Sequence, residues 1–203
     1  MPADPAHDLA LMAQMVAGSD AALDQLMERW EGPLRSFAHR YLQNATDTDD
    51  VVEETFVRLY HKRADFIPGS NFPAWIFTIA VNLCRHRLRW RRRHPSESID
   101  GGEEEGGEGS LGSRLACGRA NPAVATEGNE RIEALRAAVS SLPEDHRSVI
   151  LLHSYEGLSY REIAAVVGCS ERGVETRLYR ARQALRGLLA PLMSAAGRPQ
   201  AGV

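Results

Sequence analysis

Between Arg85 and His94 the chain sets six arginines and two histidines in ten positions, with one tryptophan and no acid (RHRLRWRRRH). Guanidinium groups this close repel one another in water, so the chemistry they suit is the binding of a polyanion. Four aromatics come just before them: Phe66, Phe72, Trp75 and Phe77. Rings beside cations suit unstacked bases and their phosphates, and packing into a core is their competing use. A second arginine set, Arg172, Arg177, Arg180, Arg182 and Arg186, lies near the other end. No nucleophile sits beside a base at a recognisable spacing, and the seven histidines and three cysteines show no metal-ligand spacing. The glycine-rich segment lacks the Lys-Ser/Thr ending of a phosphate loop. The chemistry is therefore binding without catalysis, and no cofactor is called for.

The second arginine set needs a helix to carry it. In Leu158 to Arg186 (LSYREIAAVVGCSERGVETRLYRARQALR), Ser159 and Glu162 make a capping box that opens a short helix. Gly168 follows its last apolar residue, where positive φ is wanted. Ser170 can cap a longer helix whose Val174, Leu178, Ala181 and Leu185 recur at spacings of four, three and four. A short helix, a tight turn and an Arg-bearing helix form a helix-turn-helix, which lays its second helix in a DNA major groove. Glu175 among the cations can read a base edge or pair with a neighbouring arginine. An ordinary helical hairpin with solvated arginines is the plainer alternative.

The first arginine set ends a longer helical region, Asp8 to His94. A short helix is expected from Asp8 to Ala17. Ser19 caps a second helix through Trp30 to Leu42, with a kink near Gly32-Pro33. A third starts over Thr46 to Asp50, with acids where the helix dipole favours them. Asp65 to Phe72 is a loop, and Pro73 opens the final helix, apolar at first and then basic.

The 203 residues carry a net charge of −3, which conceals strong segregation. Eight acids lie between Ser96 and Glu130 against Arg114 and Arg119, and they mask the basic run in the sum. That stretch, rich in Gly, Ser and Glu, predicts a flexible tether. The expected division is residues 1–95, a helical domain; 96–129, the acidic linker; 130–192, the helix-turn-helix domain; and 193–203, a disordered tail. The fold class is all-α, two small helical domains. Widely spaced cysteines and the lack of a signal peptide or membrane span fit a cytoplasmic protein.

In this order, DTDDVVEETFVRLY (Asp47 to Tyr60), FPAWIFTIAVNLCRHRLR (Phe72 to Arg89) and LPEDHRSVILLHSYEGLSYREIAAVVGCSERGVETRLYRARQALR (Leu142 to Arg186) resemble the extracytoplasmic-function sigma factors. These are small two-domain specificity subunits of bacterial RNA polymerase. The resemblance implies that Asp47, Asp49, Asp50, Glu53, Glu54 and Phe56 dock on the clamp coiled coil of the polymerase largest subunit. The second domain would meet the flap of the second-largest subunit. It implies that the loop Asp65 to Phe72, with its Phe66 and Phe72, and Trp75 and Asn82 open the −10 region and hold a flipped base. Arg85, Arg87, Arg89, Arg91, Arg92 and Arg93 would hold phosphates there. Arg161, Ser170, Arg172, Glu175, Thr176, Arg177 and Arg180 would read the −35 element. An anti-sigma factor is the further partner the family implies. Glu53 stands where Gln is usual, His86 where an acid is common and Glu175 where Lys is frequent. Two other readings compete: a sigma-like decoy for an anti-sigma protein, and an autonomous helix-turn-helix regulator.

Overall fold

The computed structural model describes residues 4–95 and 122–196, and among these every regular element is helical. Helix α1 (Pro5–Val16) starts where the Asp4 side chain accepts from the His7 N–H. Helix α2 (Asp20–Leu42) buries Ala22, Leu26, Trp30, Leu34, Phe37 and Tyr41, a stripe at spacings of three and four. The helix runs on through Gly32 and Pro33, and the stripe keeps its register across them. Ser19 stands at its N-cap but gives no side-chain bond.

Helix α3 (Ala45–His61) begins at Asn44, whose side chain accepts from the Asp47 N–H at 2.8 Å. The short gap between α2 and α3 is thus itself the cap. A single 3-10 turn (Arg63–Asp65) leads into a loop, and Asn71 caps α4 (Phe72–Arg93) by accepting from the Ala74 N–H. Trp30 is the centre of this half. Phe72 and Phe77 meet it edge-on, with centroids at 5.5 and 6.1 Å, a favoured aromatic geometry.

The second half is α5 (Pro122–Ser141), α6 (Glu144–Ser154), α7 (Tyr160–Val167) and α8 (Glu171–Ala196). Two expected boundaries move. Helix α5 starts at Pro122, eight residues inside the predicted linker, because proline is favoured in a first helical turn. Helix α8 passes through Pro191 into the predicted tail. The bond Pro191 cannot make would go to Gly187, whose backbone adjusts easily. The acidic run 96–121 and residues 197–203 lie outside the described residues.

The turn motif forms as expected. Ser159 and Glu162 complete a reciprocal capping box, and Gly168 takes φ 68°. Ser170 Oγ accepts from the Gly173 N–H at 3.1 Å. Ile163, Val166, Val174, Leu178 and Ala181 are buried, and α8 packs on both α6 and α7.

The two halves share one core. Helix α4 packs on α7, and α2 packs on α5 and α6. Tyr41 Oη, from α2, lies 3.0 Å from Ser148 Oγ of α6. The buried Arg147 guanidinium donates to Tyr41 O at 2.9 Å, to Leu142 O at 3.2 Å and to Ser140 O. One cation thereby satisfies carbonyls at the ends of two helices from opposite halves.

Candidate nucleic-acid interface

The loop ahead of α4 is built by a tight turn. Pro68 and Gly69 occupy its central positions, Gly69 has φ 79°, and the Ser70 N–H donates to Ile67 O at 3.0 Å. Proline followed by a positive-φ glycine is the signature of a type II turn. The turn pushes Ile67 outward to 72% exposure. The sequence places Ile67 within the loop from Asp65 to Phe72 without singling it out, although an apolar residue directly before Pro-Gly is the signal.

Behind this tip the aromatics divide. Phe72 and Phe77 are fully buried, and Phe66 nearly so. Phe72 was expected to face a base, but Trp30, Phe66 and Trp75 enclose its ring. Trp75 is half-buried, edge-on to Phe66 at 5.1 Å, and keeps part of its ring in solvent. Asn82 is exposed farther along α4.

The basic end of α4 is largely compensated. Asp47 was expected on a docking face, yet it is 3% exposed and serves as an internal counter-ion. Arg87 Nε lies 2.5 Å from its Oδ1 and Arg91 Nε 2.7 Å from its Oδ2. Arg87 also reaches Asp50 at 3.2 Å, and Arg92 reaches Glu144 at 3.0 Å. Arg85 donates to Asp145 at 3.0 Å. Arg89 and Arg93 remain exposed. Trp90 stacks on His94 at 4.8 Å, under the Arg87 guanidinium.

Helix α3 presents its other acids outward. Asp49 pairs with Arg35, Glu54 with Arg58 at 2.7 Å, and Glu53 is exposed. Phe56 is buried, so it supports this face from beneath. Beside Glu53 runs an apolar groove lined by Leu23, Met27, Phe56, Val57 and Tyr60. Met27 and Val57 are 39% and 43% exposed, and neither stood out in the sequence.

On the helix-turn-helix, Arg161, Arg172, Glu175, Thr176 and Arg180 are exposed. Ser170 spends its hydroxyl on the cap, and Thr176 Oγ1 donates to Arg172 O at 2.9 Å. Arg177 is half-buried, with Nη2 3.2 Å from Asp145 Oδ2. His146 sits close by; burial and the Arg180 and Arg177 charges hold its pKa below the usual imidazole value, against Asp145. Tyr179, 62% exposed, adds an aromatic to the same helix.

Cys84 and Glu156 are among the further titratable groups that are buried. Burial pushes the Cys84 thiol well above its ordinary range. Burial also pushes the Glu156 carboxyl up to about 7, against the pull of Arg40. Among the described residues no cluster of His, Cys, Asp and Glu could hold a metal ion, and no helix is long and apolar enough to cross a membrane.

The chain has recognisable relatives. Residues 26–94 match the family model described as Sigma-70 region 2, and residues 132–185 match that described as Sigma-70, region 4. The ECF RNA polymerase sigma-E factor of Escherichia coli (strain K12) is 33% identical over 187 residues, 92% of this chain and 96% of that protein. The ECF RNA polymerase sigma factor EcfG of Rhodopseudomonas palustris (strain TIE-1) is 38% identical over 156 residues, 77% of this chain and 78% of that one. Among solved structures, CnrH in complex with the cytosolic domain of CnrY is similar with a TM-score of 0.68 and 30% identity, covering 91% of this chain and 98% of that one. The sigma factor RpoE in complex with the anti-sigma factor NepR from Bartonella quintana is similar with a TM-score of 0.62 and 28% identity, covering 82% and 96%.

Proposed function

Because the chain belongs to the extracytoplasmic-function sigma factors, the alternative sigma factors of RNA polymerase, we propose how its surfaces divide the work of initiation. The outer face of α3, with Asp49, Asp50, Glu53 and Glu54 around the Met27–Val57 groove, docks on the clamp coiled coil of the polymerase largest subunit. An apolar groove rimmed by charge suits a specific, separable contact. The second half would meet the flap of the second-largest subunit.

The Ile67 tip and the half-exposed Trp75 act at the −10 element. Ile67 enters the stack as an apolar wedge, and Trp75 and Asn82 receive the displaced base. Wedging and flipping each cost a few kcal/mol, which stacking and phosphate contacts offset. The α4 arginines supply those phosphate contacts. Exposed Arg161, Arg172, Glu175, Thr176 and Arg180, with Arg177, meet the −35 duplex. The chain carries out no reaction itself; polymerase does. It works in the cytoplasm, and an anti-sigma protein restrains it, a reading supported by the complex that the similar RpoE of Bartonella quintana forms with the anti-sigma factor NepR.

The observation that carries this reading is the pairing of two Arg-bearing helices, α4 and α8, with one acid-faced helix, α3, in one chain. The test is transcription from fragmented host DNA by purified core polymerase, with and without the chain. New start sites sharing two spaced upstream elements are expected. Absence of new starts despite core binding would favour the decoy, and absence of core binding an autonomous regulator.

A further inference from the structure

Trp90 and His94, at the C-terminal end of α4, have no part in the work assigned so far. Their rings lie 4.8 Å apart at 26°, and the Arg87 guanidinium sits 5.3 Å from the Trp90 centroid. Each member of this stack is held in place. Arg87 is tied to Asp47 and Asp50, and His94 is the C-cap of the helix, with Nδ1 3.0 Å from Trp90 O. A carbonyl oxygen accepts, so Nδ1 donates and Nε2 is left for a partner. Trp90 keeps part of its ring in solvent, and His94 is exposed.

Two cations flank the stack. Among the described residues Arg85, Arg87, Arg91 and Arg92 each have a carboxylate partner, whereas Arg89 and Arg93 are exposed and have none. Arg89 and Arg93 are one turn apart, so they share a face. That face continues from the melting end of the helix: Trp75, Asn82, His86, Arg89 and Arg93 recur at spacings of seven, four, three and four.

We propose that this end of α4 is a third promoter contact. Arg89, Arg93 and the Trp90–His94 stack hold the sugar-phosphate backbone of the duplex between the −10 and −35 elements, leaving the nearer arginines to the −10 phosphates.

Distance and chain direction choose that occupant. With the flipped base at Trp75, Arg89 and Arg93 lie ~21 and ~27 Å farther along the axis at about 1.5 Å per residue. That is about six to eight base pairs at roughly 3.4 Å each. The chain leaves α4 at its basic end for the half that bears the −35 helix, so this end faces the spacer. Unpaired guanidiniums suit phosphates, whose contacts fix register without reading sequence. A ring stack already held in place loses little side-chain entropy when a sugar packs on it. The plainer use of Trp90, shielding the Asp47–Arg87 pair, accounts for neither the two unpaired arginines nor the exposed His94.

This inference rests on the assignment of α4 to promoter DNA and deepens it. The test uses holoenzyme and a promoter it selects in transcription, as unmodified duplex and with neutral methylphosphonates about six to eight base pairs upstream of the flipped base. On unmodified duplex, Arg89→Ala with Arg93→Ala should bind about tenfold more weakly, and the slope of log affinity against log salt should become shallower by about 1.8. On the neutralised duplex, parent and variant should bind alike. Trp90→Ala should cost about threefold on unmodified duplex, with Trp90→Phe close to the parent. Parent-like affinity of the double variant on unmodified duplex would overturn the proposal. An equal loss on both duplexes would overturn it too, since the arginines would then act elsewhere. Parent-like binding by Trp90→Ala would overturn the part given to the stack. A parent holoenzyme with no preference for promoter over unrelated duplex would instead overturn the sigma reading itself, so the two failures are told apart.

Discussion

Arg87 Nε on α4 lies 2.5 Å from Asp47 Oδ1 at the start of α3, in a pair whose carboxylate is buried. Arg91 takes the other oxygen. The basic helix is therefore anchored to the acid-faced helix by a charge that cannot reach a partner. Removing one member of a buried pair leaves the rest uncompensated. Asp47→Ala should lower unfolding free energy by about 2 kcal/mol, less than for a fully enclosed pair because both arginines are partly exposed. Urea denaturation checks this; an unchanged midpoint would refute the anchoring role.

Docking on polymerase should depend on the groove more than on the paired acids. Asp49 and Glu54 are engaged with Arg35 and Arg58, whereas Met27 and Val57 are apolar and in solvent. Val57→Asp should weaken core binding about tenfold or more, as expected for a charge placed in an interface core. Equilibrium binding to labelled core polymerase measures it, with Asp49→Asn as the milder comparison. Equal affinities would move the docking surface elsewhere.

Melting should depend on the tip of the loop. Ile67→Ser removes the apolar wedge and leaves the turn intact, since Pro68 and Gly69 set it. Open-complex formation should slow about tenfold on duplex promoter, which corresponds to losing ~1.4 kcal/mol of the unstacking offset. A template already mismatched across the −10 region should restore the rate. A defect that persists on mismatched template would assign Ile67 to binding and not to strand opening.

Glu156 makes stability fall as pH rises. Its carboxyl is raised from an ordinary 4.5 to about 7 by burial, so the folded chain holds this proton more tightly than the unfolded one. Between those values the folded state binds more protons, and each pH step upward costs stability. The full effect is on the order of 3 kcal/mol. Thermal unfolding should show the melting temperature dropping between pH 5 and 8, and Glu156→Gln should flatten that drop. A parallel profile in the variant would mean the carboxyl is not the titrating group.

Local signals were the legible part of this chain. Ser159, Glu162 and Gly168 define α7 within a few residues of one another, and the 3.6-residue stripes of α2 and α8 define their buried faces. Pro122 was legible in principle as a first-turn residue, but the acidic, glycine-rich run before it drew the boundary later. What short windows do not carry is which charge meets which. Asp47 and Arg87 are 40 residues apart and Arg85 and Asp145 60, so a solvated acid and an internal counter-ion look alike in sequence. Phe72 likewise stands among aromatics of both kinds; only the position of Trp30 decides that it faces inward. Ile67 was obscured for the opposite reason, since a lone apolar residue in a loop gives no periodic signal.

The three tryptophans supply an optical probe with a built-in reference. Trp30 is sealed in the core between Phe72 and Phe77, while Trp75 and Trp90 retain solvent contact on the side that would meet the −10 element. Iodide can quench the outer two and not the inner one. Intrinsic emission from the unlabelled protein can therefore register strand capture at Trp75 and Trp90, with Trp30 as the constant background.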